Sequence, residues 1–379
     1  MSDGTVNPKP YVVFLPYLPL REPTEVGDWS LHPIDLFEGA WESARFEDLS
    51  RRFIAAFRGT DNKPIPHPTL AARRDSGCDG ALPAPAELDA LRRAVEFASL
   101  DQNPIWSDEI SFGSMQALQV LTTDNAEVHV WPIDLADGRV VQESGFVVST
   151  LAGGFRIGDD LAITPPAELR LPFGKVTLDS EIASAVYRTV AGQLKGVSVN
   201  DAARIARAVR WLAKAWRNTP SISWEDRIIF LKTAFEALTG AGKTHEAAAA
   251  LRRLFEETIV GDFREDAAHH LLWSPSEAPT RPFTERSGKS WDCTDLEHWF
   301  RAFGEVRNGV IHGDGFATQD FSYQQHDSAY NGPMFHTGER LLREATKVEL
   351  TRLGHERLFL EATTRAVYRH LEKLEFEGS

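Results

Sequence analysis

Arg307, Asn308 and His312 set a permanent cation, an amide and a titratable imidazole within six residues, in the run Arg307-Asn308-Gly309-Val310-Ile311-His312-Gly313. A guanidinium presents a planar pair of donors that matches two phosphoryl oxygens and stabilises charge developing on them. An imidazole exchanges protons near neutral pH. Together these groups suit proton transfer beside a bound phosphate, with Asn308 placed to orient either the phosphate or the ring. The blander reading is also coherent. Arginine near a helix C-terminus is favoured by the macrodipole, and His312 before Gly313 could simply cap.

The element that must position them is a helix. Thr294-Asp295-Leu296-Glu297 has the form of a capping-box start, and Leu296, Trp299, Phe300, Phe303, Val306 and Val310 recur at helical spacing. Arg307 lies at the edge of that apolar stripe. At about 100° per residue His312 points about 140° away on an unbroken helix. Either the helix loosens at Gly309, or the site is completed from elsewhere. Asn308 and His312, four apart, share a face on a continuous helix.

The run resembles the signature of the HEPN superfamily: Arg, a polar residue, three further residues, then His. Its context does too, with an earlier helix bearing Asp226, Arg227, Leu231, Phe235, Glu236, Ala237 and Leu238, a second helix, and then the motif. That order resembles the Apea-like branch and covers roughly residues 199–373. The resemblance implies an all-helical domain of metal-independent ribonucleases and their inactive relatives, without a cofactor. It implies Arg307, His312 and Asn308 as catalytic residues, with Glu236 as a supporting acidic position. It also implies RNA as substrate, cleavage to a 2′,3′-cyclic phosphate, a homodimer in which two motifs face each other, and a role in phage defence or toxin-like growth arrest. The rival expectations are a module that binds RNA or a nucleotide without cutting it, and a dimerisation scaffold.

At 379 residues, 42% hydrophobic and 25% charged, the chain is long enough for two or three domains of ordinary globular composition. Its net charge of −14 divides unevenly. Residues 1–180 hold 15 Lys+Arg against 27 Asp+Glu, and residues 181–379 hold 26 against 28. An acidic chain gains no general attraction to nucleic acid, so any RNA contact must rest on a local basic patch in the second half. No apolar run reaches the roughly 20 residues of a membrane span, and the start MSDGTVNPKP lacks the regions of a secretory signal. The cytoplasm is the expected location. Cys78 and Cys293 read as two reduced, structural thiols.

Taken in order, residues 1–180 read as an α+β domain with an antiparallel sheet, of sensing or regulatory role. Tyr11 to Leu20, with Pro16 and Pro19, suits a short edge strand or extended lead-in. Residues 39–58 and 85–100 read as helices, with a loop at 60–85. From Ala117 strands follow, separated by hairpin-type dipeptides such as Asp124-Asn125 and Asp137-Gly138, as in a meander. Residues 181–379 read as an all-α, HEPN-like bundle. Its helices are capped by Asn200 and Ser223, stopped by Gly240, reopened at Thr244, and followed after the motif by a helix over 338–373 that Gly354 splits or bends. Residues 261–293 read as an irregular insertion.

Ala237-Leu238-Thr239-Gly240-Ala241-Gly242-Lys243-Thr244 fits a relaxed phosphate-loop pattern. A phosphate loop must leave a β-strand and enter a helix, and here the preceding periodicity is helical, so a helix-to-helix turn is expected. His269-His270, His245-Glu246 and His355-Glu356 each lack the further ligand a metal site needs.

Overall fold

The computed structural model describes residues 11–36, 64–74, 82–101, 123–132, 175–193, 197–217, 221–258, 280–313 and 331–354, with short pieces at 47, 50–51, 155–156, 162–163 and 322–324. The chain divides into two units, one of Met1–Ala191 with Trp216–Ser221, the other of Gly192–Ala215 with Ile222–Ser379.

The first unit is built on β1 (Tyr11–Leu15), β2 (Thr24–Val26), β3 (Trp29–Pro33), β4 (Thr69–Arg73), α1 (Pro85–Asp101) and β5 (His129–Pro132). Two-residue strands β6 (Phe155–Arg156) and β7 (Ala162–Ile163) follow, and then α2 (Ser180–Val190). The sheet is antiparallel throughout, in the order β2-β3-β4-β1-β5. β1 is therefore interior, contrary to the edge position expected from its prolines. The strand ends at Leu15, before Pro16, so neither ring has to occupy a ladder position. Its five apolar residues are all buried, whereas β3 alternates, with Trp29, Leu31 and Pro33 turned inward.

The residues before Asp124-Asn125, 102–122, lie outside the described residues. Asp124-Asn125 itself lies in a buried 3₁₀ turn, Thr123–Ala126, where Asn125 Nδ2 donates to the Tyr17 carbonyl at 3.3 Å. Of the helix expected at 39–58, only residues 47, 50 and 51 are described, and they are helical. The strands expected at 140–148 and the Asp137-Gly138 turn lie outside the described residues.

The β2-β3 turn explains why α2 goes with the sheet. Gly27 takes φ 60°, and a Cβ there would stand 2.0 Å from the Tyr187 ring. Its N–H donates to Ser184 Oγ at 2.9 Å. Tyr187 and Ser184 both belong to α2, which falls in the first unit.

Among the described residues the second unit is helical, with two short antiparallel strand pairs. It comprises α3 (Val199–Ala215), α4 (Trp224–Thr239), α5 (Thr244–Thr258), β8 (Arg281–Thr284), β9 (Ser290–Cys293) and α6 (Asp295–His312). β10 (Ser322–Gln324), β11 (Asn331–Pro333) and α7 (Met334–Arg352) complete the described elements. α3 starts one residue before Asn200, and Ser198 Oγ accepts the Asn200 N–H at 3.2 Å, so serine rather than asparagine fills the cap position. Ser223 and Asp226 form the expected reciprocal capping box. Gly240 ends α4 in the left-handed conformation, φ 69°. The β8-β9 hairpin occupies the end of the stretch expected to be irregular. Gly354 follows α7 at φ 103°, and the helix expected beyond it lies outside the described residues. No helix among the described residues is long and apolar enough to cross a membrane.

Candidate functional site at the end of helix α6

α6 begins where its sequence says it should. Glu297 Oε2 accepts the Thr294 N–H at 3.0 Å, and Thr294 Oγ1 accepts the Glu297 N–H at 3.4 Å. Leu296, Trp299, Phe300, Phe303 and Val306 then form one buried stripe. α4 meets that stripe through Phe235. Its ring stands edge-on to Phe300, with centroids 5.0 Å apart at 89°, and 6.3 Å from both Trp299 and Phe303. Such edge-to-face pairs hold two helices in one register more tightly than aliphatic contacts do.

Two glycines bring further helices onto this seam. A Cβ on Gly304 would stand 2.8 Å from Thr244 Cγ2, at the first residue of α5. A Cβ on Gly338 of α7 would meet Leu231 at 2.8 Å and Trp299 at 2.9 Å. Hydrogen at both positions is what lets α5 and α7 close on α4 and α6.

Arg307 leaves the stripe one turn after Phe303 and is half-buried. Its Nη1 donates to Asn308 Oδ1 at 3.0 Å, which holds the guanidinium across the helix surface. Its Nε is buried and meets no hydrogen-bond acceptor among the described residues. A planar cation so placed keeps donor capacity for an added oxyanion.

On α4, Lys232 lies in the same seam. It is 1% exposed, its Nζ donates to Glu236 Oε1 at 3.0 Å, and it stands 4.9 Å from the centroid of Phe300. Burial pushes its pKa down from that of an ordinary lysine, and the Arg307 charge adds to the effect, while Glu236 opposes it. Glu236 is therefore the partner of a buried lysine whose charge state also senses Arg307. Sequence reasoning singled out Glu236 and missed Lys232. Its signal was present: Lys232 sits on the Ile228, Leu231, Phe235 stripe and four residues before Glu236.

His312 is in the last turn of α6 and exposed. The helix does not loosen at Gly309. Gly309 is buried and helical, and its carbonyl accepts from the N–H of Gly313, which caps the helix at φ 77°. Five residues of continuous helix separate Arg307 from His312 by about 7.5 Å along the axis and about 140° around it. The structure thus places Asn308 beside Arg307 and Glu236 in the seam that Arg307 borders. It does not bring His312 and Arg307 of one chain to a common point. Asn308, Ile311 and His312 are all exposed, Ile311 by 48%.

The competing motifs take ordinary places. Residues 237–244 link helix α4 to helix α5, and Lys243 is exposed and paired with Glu246 at 3.3 Å. Cys293 is buried, and burial raises its thiol pKa, as expected of a structural cysteine; Cys78 lies outside the described residues. Among the described residues no group of three or more His, Cys, Asp or Glu side chains is gathered as a metal ion would require. Compared with protein-family models, curated proteins and solved structures, the chain finds no match.

Proposed function

We propose that the second unit is a metal-independent endoribonuclease of HEPN type, acting as a homodimer through its helical half. The observation that carries the reading is Arg307: a half-buried guanidinium, fixed by Asn308, with its buried Nε facing no acceptor among the described residues, at the end of the helix that also presents His312. RNA supplies its own nucleophile. The 2′-oxygen attacks the adjacent phosphorus, the bond from phosphorus to the 5′-oxygen breaks, and the products are a 2′,3′-cyclic phosphate and a 5′-hydroxyl. His312 carries the proton that must leave the 2′-hydroxyl or reach the departing 5′-oxygen. Arg307 binds two phosphoryl oxygens as charge builds on them, and Asn308 keeps the fork in plane.

Because Arg307 and His312 of one chain diverge, the site is composite. The histidine of one copy works with the arginine of the other across a two-fold axis. The exposed strip of Asn308, Ile311 and His312 supports that pairing. The first unit then serves as sensor or regulator, and the cellular role is defence against phage or growth arrest. The same divergence favours one rival, a module that holds RNA without cutting it. Incubating labelled RNA with wild-type protein in EDTA decides between them: cleavage to cyclic-phosphate ends supports the enzyme, and intact RNA retained on the protein supports the module.

A further inference from the structure

The acidic chain carries one helix face of the opposite character. Residues 202–215 of α3 contain four cations, Arg204, Arg207, Arg210 and Lys214, and no carboxylate. Arg204 pairs with Asp201 at 3.2 Å and Glu349 at 3.3 Å. Arg207, Arg210 and Lys214 are exposed, and with Trp211 they fall at helical positions i, i+3, i+7 and i+4, on one face. The opposite face, Ile205, Ala208, Val209 and Leu212, is the buried one.

The cations are interleaved with aromatic rings. Trp211 is half-exposed, with Lys214 Nζ 4.1 Å from its centroid and Phe230 of α4 at 5.7 Å and 34°. At the C-terminal end of α3, Arg227 donates to the Ala215 carbonyl at 3.1 Å. Its guanidinium lies 5.3 Å from the ring of Trp224, which is 53% exposed. A solvated basic face needs no tryptophan, and a packed tryptophan needs no cations around it. Cations spaced along a face with rings between them are what single-stranded nucleic acid requires, phosphates on the cations and unpaired bases on the rings. A duplex hides its base faces and leaves the rings nothing to stack on.

We propose that this face of α3, flanked by Phe230 and Trp224, is a binding track for single-stranded nucleic acid, and that under the ribonuclease reading, on which its choice of RNA rests, it holds the substrate strand leading to Arg307. Lys214 rests on Trp211 until a phosphate draws it away, and the freed ring face accepts a base.

The test uses the full chain and short labelled single-stranded RNA made with 2′-O-methyl riboses, which lacks the attacking hydroxyl and reports binding alone. Single-stranded DNA, duplex RNA and polyglutamate serve as competitors, and unmodified RNA reports cleavage separately. Combining Arg207→Gln, Arg210→Gln and Lys214→Gln should weaken binding on the order of tenfold or more and make the salt dependence shallower by about two units, each phosphate contact on a single strand contributing about 0.7. Trp211→Ala should weaken binding on the order of tenfold, and Trp211→Phe should restore most of it. Helical circular dichroism equal to wild type confirms that the variants are folded, and Trp211→Phe keeps the packing on Phe230. Single-stranded DNA should compete, because cations on phosphates and rings on bases do not distinguish the two sugars.

Binding unchanged in both the triple variant and Trp211→Ala would overturn the track. So would duplex RNA competing as well as single strands. Polyglutamate competing equally, with Trp211→Ala neutral, would assign the face to an acidic protein instead. The ribonuclease reading fails separately: if the methylated RNA binds as described but unmodified RNA stays intact, the track stands and the enzyme does not. If unmodified RNA is cut at the wild-type rate by the triple variant, the enzyme stands and the track does not.

Discussion

Lys232 and Glu236, one turn apart on α4, meet at 3.0 Å beneath the ring of Phe300, and the lysine is the more deeply buried of the two. Desolvation is the largest influence on Lys232 and acts against its charge. Removing one partner of a buried ion pair costs about 3–5 kcal/mol only when the other charge is left buried, and Glu236 is 28% exposed. Lys232→Met should therefore leave the helical unit at least as stable as wild type at neutral pH, because Glu236 is partly exposed and keeps its hydration.

The pH dependence has a definite sign. The folded pKa of Lys232 lies below the unfolded value, so between the two the unfolded chain binds the extra proton and stability rises with pH. The advantage of Lys232→Met should thus shrink as pH approaches 10.5. Urea unfolding at neutral and alkaline pH measures this; a loss of several kcal/mol at neutral pH would show that the lysine charge is structurally required.

Gly304 marks where α6 and α5 touch. Gly304→Ala should cost about 1–3 kcal/mol, as overpacking typically does, since the new methyl meets Thr244 Cγ2 at 2.8 Å. Adding Thr244→Ser removes that methyl and should recover most of the loss. Additive behaviour in the double variant, read from urea midpoints, would mean that the two residues are not in contact.

Features carried by a few neighbouring residues were the ones the sequence made readable. The Ser223–Asp226 and Thr294–Glu297 boxes and the Gly240 stop each follow from bonds closing within four residues. The interior position of β1 was hidden because its neighbours, β4 and β5, come from far along the chain and no local pattern records strand order. The β8-β9 hairpin was hidden by Pro282 and by side chains that are mostly exposed. Lys232 was hidden because a charged residue on an apolar stripe is read as solvated until its partner and its covering ring are seen. Gly309 suggested a break, worth about 1 kcal/mol in helix propensity, and the buried seam around it outweighed that preference.

Under the proposed ribonuclease reading, Asn308 acts through Arg307, which it holds by a hydrogen bond. Asn308→Ala removes the acceptor 3.0 Å from Arg307 Nη1 and should lower kcat for RNA cleavage by about tenfold, the loss of one neutral-to-charged hydrogen bond, with KM little changed. Asn308→Asp should keep the guanidinium in place but set a second negative charge against the phosphate, raising KM instead. Equal kinetics in all three proteins would remove Asn308 from the site.

The most direct test of the catalytic assignment compares wild type, Arg307→Lys and His312→Ala for RNA cleavage in EDTA. Lysine keeps the charge but not the planar fork, so Arg307→Lys should lose on the order of 10²–10³ in kcat, as when one oxyanion donor is removed. His312→Ala should lose about 10²–10⁴, the usual contribution of proton transfer. Mixing the two inactive variants should restore part of the activity if the site is shared between copies. Cleavage at the wild-type rate by either variant, or no cleavage by wild type, would contradict the assignment.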